Sequence, residues 1–216
     1  GDLAGRKVLV SAGGTREALD PVRFIGNRSS GKMGYAIAEA ARDRGASSVV
    51  VAAPTSFRDP VGVRVVPVVT AQEMRDAIAQ EAGDADALVM SAAVADWRPA
   101  RTAAEKVKKG AAESWGIELT RTPDILREMP SADIIRVGFA AESQDLEANA
   151  RAKLESKGLD LIAANDITDS DAGFGADSNR VVLIDRNGNV ERLGLMPKYE
   201  LGHRILDRVV EFLAGR

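Results

Sequence analysis

The densest set of anion-binding groups in this sequence lies in residues 13–34, GGTREALDPVRFIGNRSSGKMG. Arg23, Asn27, Arg28 and Lys32 supply cationic and amide donors there. Ser29, Ser30 and Gly31 fall where a helix is expected to begin, and the free N–H groups of a helix start attract anions. The same three residues can also be read as a helix cap behind a surface loop. Residues 26–32 spell G-x-x-x-x-G-K. They do not make a Walker A loop, because Met33 follows where a magnesium-binding Ser or Thr is required. The adjacent Gly13 and Gly14 do not make a dinucleotide fingerprint. That motif needs G-x-G-x-x-G running straight into a helix.

A second segment, residues 91–109 (SAAVADWRPARTAAEKVKK), places small Ala92 and Ala93 at the end of an expected strand. There a ligand can approach the backbone closely. Asp96 can accept hydrogen bonds from a ribose or base, or help hold a metal ion. Eight of the 29 basic residues are lysines, and three of those are Lys106, Lys108 and Lys109. Lys153 and Lys157 lie four apart on one helical face. Lysines clustered in an arginine-rich chain suit phosphate binding as compact charges; a solvated loop and an exposed helix face are the alternative. A third segment, residues 137–142 (VGFAAE), again ends a strand, and Phe139 can stack on a base or pack in the core. Asn165 and Asp166, with Gly173, Phe174 and Gly175, can form a further loop over the site.

Composition excludes other chemistries. The 216 residues contain no cysteine and one histidine, with a formal charge of −3. That removes thiol nucleophiles, disulfides, thiolate zinc sites and any multi-histidine metal site within one chain. His203 lies in an amphipathic run and reads as structural. A Ser-His-Asp triad could only run through it, and no G-x-S-x-G elbow is present. The mild negative charge argues against a nucleic-acid partner. No apolar run reaches the roughly 18 residues of a membrane span, which argues against a membrane partner. Gly1 in place of an initiator methionine reads as a processed end or a domain cut from a longer chain.

The elements that must hold these groups alternate. Strands are expected at 7–11, 48–53, 63–69, 87–93, 117–120, 135–139 and 159–164. Helices are expected at 31–44, 71–82, 123–128, 146–157 and 197–213. Thr70 can N-cap the second helix with Glu73 in its first turn, Pro123 fits the first position of the third, and Gly45 can end the first. Asn187-Gly188 between 181–185 and 190–193 signals a hairpin. The pattern predicts one α/β domain over residues 1–216. Its fold class is a doubly wound, mostly parallel Rossmann-like sheet with an antiparallel hairpin near the C-terminus. Ligands in such sheets sit at the carboxyl ends of the strands, where the segments above fall. Residues and spacing alone thus point to a polyanion pocket, for a nucleoside triphosphate, without naming the reaction.

At these same segments the sequence resembles the phosphopantothenoylcysteine synthetase family. The matching pieces are residues 12–34, AAVADW (92–97), EKVKK (105–109), TPDIL (122–126), GFAAE (138–142), the Lys153/Lys157 pair and LIAAND (161–166). The resemblance runs in order through nearly the whole chain. It implies a ligase of coenzyme A biosynthesis that joins 4′-phosphopantothenate to L-cysteine. CTP and Mg²⁺ are implied, with an acyl-cytidylate intermediate and CMP and pyrophosphate as by-products. It implies a cytoplasmic homodimer, with residues 26–34 and the 181–193 hairpin as contact elements. A flavin decarboxylase domain is implied in the full-length protein, with no FMN in this domain. By resemblance, Asn27 engages the acyl-cytidylate and Arg23 serves its conversion to product. Asp96 and Lys106 contact nucleotide, Lys106 being counted among the catalytic residues as well. Pro123, Asp124, Ile125, Leu126, Phe139, Lys153 and Lys157 match further CTP positions. Gly13, Gly14, Ala92 and Ala93 complete the expected binding set. Two other classes stay open beside it: a nicotinamide-dependent reductase, and a nucleotide-binding module without catalysis. The metal ligands, and the choice of CTP over ATP, do not follow from the residues.

Overall fold

An eight-stranded sheet forms the centre of the computed structural model, which describes residues 1–109, 113–129, 133–142, 144–166 and 175–216. From edge to edge the strands are β12 (Val190–Pro197), β11 (Ser178–Asp185), β10 (Leu161–Asp166), β9 (Ile135–Glu142), β6 (Ala87–Met90), β1 (Lys7–Ala12), β4 (Ser47–Ala52) and β5 (Arg64–Pro67). Neighbours from β10 through β5 pair in parallel, whereas β11 runs antiparallel to both β10 and β12. Parallel strands buried on both faces read as continuous apolar runs, which is why 7–11 and 87–93 stood out in the sequence.

Side chains alternate between two cores with the period of two that strands impose. Val8, Val10 and Ala12 of β1 join Ala87 and Val89 of β6 in one core, with α1 (Lys32–Asp43) and α5 (Lys198–Ala214) over it. Leu9, Leu88 and Met90 point to the other core, under α2 (Ala71–Glu81), α3 (Ile125–Glu128) and α4 (Leu146–Lys157). The sheet is therefore wound on both faces, as expected. Strand order leaves β1 toward β4 on one side and toward β6 on the other. Doubly wound sheets commonly bind ligands at the carboxyl ends of the strands beside such a reversal, here β1 and β6.

Local signals account for the helix ends. Thr70 and Glu73 form a full capping box at the start of α2. Gly45 follows α1 at φ 90° and its N–H donates to Arg42 O at 2.8 Å. Gly31 precedes α1 at φ 80°, a left-handed conformation that glycine adopts without strain. Gly34, in the first turn, is a contact requirement: a Cβ there would lie 2.6 Å from Ala12 Cβ and 2.9 Å from both Ser11 O and Ser91 Oγ. The bare backbone lets α1 rest directly on the ends of β1 and β6. A Gly34→Val chain is expected to lose about 1–3 kcal/mol through overpacking. Its thermal midpoint drops by about 2–4 °C for each kcal/mol, as calorimetry would register.

The structure departs from the expected pattern in several places. The third helix starts at Ile125 with Asp124 as its N-cap, so Pro123 precedes it and does not fill its first position, and β6 ends at Met90 and not at residue 93. The C-terminal hairpin is longer than 181–193, running through Pro197 on its second strand. Residues 15–26, expected to be a loop, form a projecting hairpin of β2 (Arg16–Ala18) and β3 (Phe24–Gly26). The short strand expected at 117–120 exists as β8 (Leu119–Arg121), paired with β7 (Trp97–Pro99) in a separate ribbon beside that arm.

Candidate active site

A cleft lies over the carboxyl ends of β6 and β9, in two connected halves. The first, about 480 Å³, is lined on one wall by residues 27–34, leading into α1. The second, about 550 Å³, is lined by residues 121–127 around the start of α3, and by Lys157 of α4. Ala92, Val94, Asp96, Phe139 and Lys153 line both, so they mark the place where the halves meet.

Most of the expected site residues come together here. Asn27, Ser29, Ser30, Gly31 and Ala93 line the first half. Pro123, Asp124, Ile125, Leu126 and Lys157 line the second. Asn27 is held at the mouth by a hydrogen bond from its Nδ2 to Val94 O, 2.9 Å. The Ser29 and Ser30 hydroxyls accept from Gly31 N and Lys32 N at 3.3 and 3.4 Å. These are long contacts, beyond the usual 3.2 Å or so of an N–H···O bond.

Lys153 donates to Phe139 O at 2.7 Å. Burial pushes its ammonium below the ordinary lysine range, with the neighbouring Lys157 charge adding to the effect; Glu142, Asp96 and Asp124 act the other way. Lys157 is paired with Asp124, whose side chain also accepts from Arg127 N at the start of α3. The carboxylates lining the cleft among the described residues are Asp96, Asp124 and Glu142. Described Asp, Glu and His residues form no cluster of three that would hold a metal ion.

Four expected residues lie outside the lining of both halves: Gly13, Gly14, Arg23 and Lys106. Gly13 and Gly14 extend the sheet past its strand ends, with Ala93 N donating to Gly13 O at 2.8 Å. The chain leaves them into the projecting arm and not into a helix, unlike a dinucleotide loop. Lys106 is exposed. Arg23 faces Asp20, donating to Oδ2 from Nε at 3.0 Å and from Nη2 at 2.5 Å. Its Nη2 also reaches Val107 O at 2.8 Å, and its guanidinium lies 4.8 Å over the Trp115 ring. Gly173 and Phe174 lie outside the described residues. His203 stands on α5 against the Tyr199 ring, centroids 4.7 Å apart, outside the cleft.

Sequence signals missed the carboxylates that anchor the arm. Glu17 is buried and accepts from Ala71 N, at the start of α2, at 2.9 Å. Asp20 accepts from Val22 N and Arg23 N and, across the ribbon, from Val107 N at 3.1 Å. Asp20 thereby ties residues 105–109, which carry Lys106, to the arm that leads to Asn27. The Arg23 guanidinium, followed by these backbone N–H groups, holds the Asp20 carboxyl far below its ordinary value of 3.8. A depressed carboxylate pKa stabilises the fold above the unfolded value and stops doing so as pH falls through the folded one. Asp20→Asn is therefore expected to be less stable than the parent chain at neutral pH. The difference should shrink below about pH 4, where the unfolded-state carboxylate begins to protonate. Paired thermal melts from pH 3 to 7 measure it; a constant difference across that range would contradict the ion-pair account.

Residues 3–213 match the family described as DNA/pantothenate metabolism flavoprotein C-terminal domain. The chain is 48% identical to the coenzyme A biosynthesis bifunctional protein CoaBC of Mycobacterium tuberculosis, covering 99% of this chain and 54% of that protein. It is 44% identical to the protein of the same name from Bacillus subtilis, covering 96% and 52%. The chain thus spans about half the length of these relatives. A crystal structure of the C-terminal domain of CoaBC matches with a TM-score of 0.85 at 38% identity, covering 100% of this chain and 99% of that one. A Cab2 mutant in complex with phosphopantothenate-cysteine matches with a TM-score of 0.76, covering 97% and 88%; at 17% identity that likeness bears on the fold alone.

Proposed function

Because the chain belongs to the DNA/pantothenate metabolism flavoprotein C-terminal domain family, we propose that it joins 4′-phosphopantothenate to L-cysteine at the expense of CTP. The observation that carries this reading is the two-part cleft. One half offers an amide donor and a helix start, the other a pair of lysines, and the two meet at Asp96, Phe139 and Lys153. Such a cleft suits two anionic substrates that must touch at one point.

The reaction needs no side-chain nucleophile. The phosphopantothenate carboxylate attacks the CTP α-phosphorus, and the bond to pyrophosphate breaks. The neutral cysteine amine, having lost a proton to solvent, attacks the acyl carbon of the resulting cytidylate. The nitrogen sheds a further proton to solvent, and the carbon–oxygen bond to CMP breaks. Lys153 and Lys157 hold the nucleotide phosphates, Pro123 to Leu126 and Phe139 shape its seat, and Asp96 accepts from its sugar or base. Asn27 donates its amide N–H to the oxyanion that develops at the acyl carbon. Positioning two bound groups in line supplies much of the rate.

Mg²⁺ belongs to this reading as an ion that arrives with the triphosphate, which supplies most of its oxygen ligands. Bound with the triphosphate in the cleft, the ion would neutralise phosphate charge. In this scheme Arg23 and Lys106 act through the Asp20-tied arm, Lys106 reaching the nucleotide from the mouth of the cleft.

A homodimer is part of the same proposal. Val22, Phe24, Ile117 and Leu119 are large apolar side chains left exposed on the arm and beside its ribbon. Exposed apolar surface of that kind favours a partner surface. Residues 27–34, in contrast, line the cleft, so the projecting β2–β3 hairpin is the better contact element. The flavin decarboxylase activity is assigned to the remainder of a bifunctional protein. No described helix is long and apolar enough to cross a membrane, and a cytoplasmic location goes with the proposed pathway.

Incubating the chain with phosphopantothenate, cysteine, CTP and Mg²⁺ tests the function. Mass spectrometry is expected to find the phosphopantothenoylcysteine amide. Nucleotide binding without any amide product would favour a binding module instead.

A further inference from the structure

Among the described residues 104–109, Val107 is the one that forms hydrogen bonds, and both of its bonds go to a single pair of side chains on the arm. Its N–H donates to Asp20 Oδ2 at 3.1 Å, and its C=O accepts from Arg23 Nη2 at 2.8 Å. That N–H belongs to the planar peptide unit that also contains the Lys106 Cα, so the grip fixes the backbone from which the Lys106 side chain leaves. Farther up the chain, Thr102 Oγ1 donates to Ala18 O at 3.1 Å and Ala103 N to Leu19 O at 2.9 Å. Those bonds dock the start of the segment on the arm and stop short of Lys106. Lys106 itself is exposed and lines neither half of the cleft. A long exposed side chain loses conformational freedom when it engages a ligand, and a backbone already fixed lowers that cost.

The two oxygens of the buried Asp20 carboxylate have separate partners. Oδ1 accepts from Val22 N at 2.9 Å and Arg23 N at 2.8 Å, which shapes the turn between β2 and β3 on the way to Asn27. Oδ2 accepts from the Arg23 guanidinium and from Val107 N. Asp20 lines neither half of the cleft, so any effect it has on the reaction passes through its partners. We infer that Asp20 is a positioning residue, whose Oδ2 sets Lys106 at the mouth of the cleft through Val107. Arg23 completes the grip from the carbonyl side. The inference rests on the ligase reading.

Asp20→Asn separates the two oxygens. The amide oxygen can stay on the turn N–H groups, and the amide NH₂ then faces two other donors, Val107 N and the Arg23 guanidinium. Steady-state amide formation is measured well below the thermal midpoint of every chain used. Asp20→Asn is expected to raise the KM for CTP about 10-fold, the lower end of what a charge-assisted hydrogen bond supplies, with a much smaller change in kcat. Lys106→Ala is expected to raise the same KM by about 10- to 100-fold. A double-mutant cycle then distinguishes positioning from a general weakening of the fold. Asp20→Asn should add no further rise in the Lys106→Ala chain. Lys153 is held by Phe139 O, away from the arm, so the effects of Asp20→Asn and Lys153→Met should multiply. A parent KM in Asp20→Asn, or its full rise retained in the Lys106→Ala chain, would overturn the positioning role and leave the ligase reading standing. So would coupling of equal size to both lysines, or an unchanged CTP requirement in Lys106→Ala. No amide product from the unsubstituted chain would overturn the ligase reading and the inference with it.

Discussion

Asn27→Ala is expected to bind CTP as the parent chain does and to form the amide product about 100- to 1000-fold more slowly. The amide stands at the mouth of the first half, tied to Val94 O by one hydrogen bond. Releasing that bond frees an N–H donor beside the point where the half-clefts meet. A neutral amide can stabilise a developing oxyanion without titrating, so the loss should be independent of pH near neutrality. Nucleotide contacts fall on Lys153, Lys157 and residues 123–126, which the substitution leaves untouched. A quenched reaction should therefore contain acyl-cytidylate in excess over product. Product formation at the parent rate would remove Asn27 from the chemistry.

Lys153→Met is expected to raise the CTP requirement about 10- to 100-fold, with a thermal midpoint at or above that of the parent chain. Lys153 lies at the junction of the halves, and burial disfavours its charged form. A lysine whose pKa is depressed on folding leaves the unfolded chain holding more protons in the window between the two values. Stability then rises with pH across that window. Below it the penalty for the buried charge is present in full, so the methionine variant gains most near neutral pH. Function moves the other way. The ammonium is what the triphosphate needs, so CTP affinity should fall as pH climbs through the depressed value, before the ordinary 10.5 of lysine. A variant with unchanged CTP dependence would exclude Lys153 from the nucleotide half.

The main sheet was legible because its strands are apolar runs buried on both faces, and its helices carry ordinary start and stop signals. The arm was not legible. β2 and β3 are three residues each, in a polar segment without alternation. Their position is set by distant groups: Glu17 on the start of α2, and Asp20 on Val107. No local pattern reports such contacts. The cleft followed the same division. Residues at or just past strand ends, such as Ala92 and Asp96, and Phe139 in the second half of β9, were readable from topology. Lys198 was not, because it opens the last helix and reaches the cleft only through the packing of α5 beside α1. Arg23 shows the converse: its motif suggested a group facing substrate, while its guanidinium faces Asp20 and Trp115.

The most direct test of the central claim is nucleoside monophosphate release in the presence of phosphopantothenate and Mg²⁺. CTP and ATP are supplied separately, each with and without L-cysteine. The account predicts CMP from CTP, rising steeply with cysteine and matching the amide product mole for mole. No monophosphate from either nucleotide, with both acyl substrate and cysteine present, would contradict it.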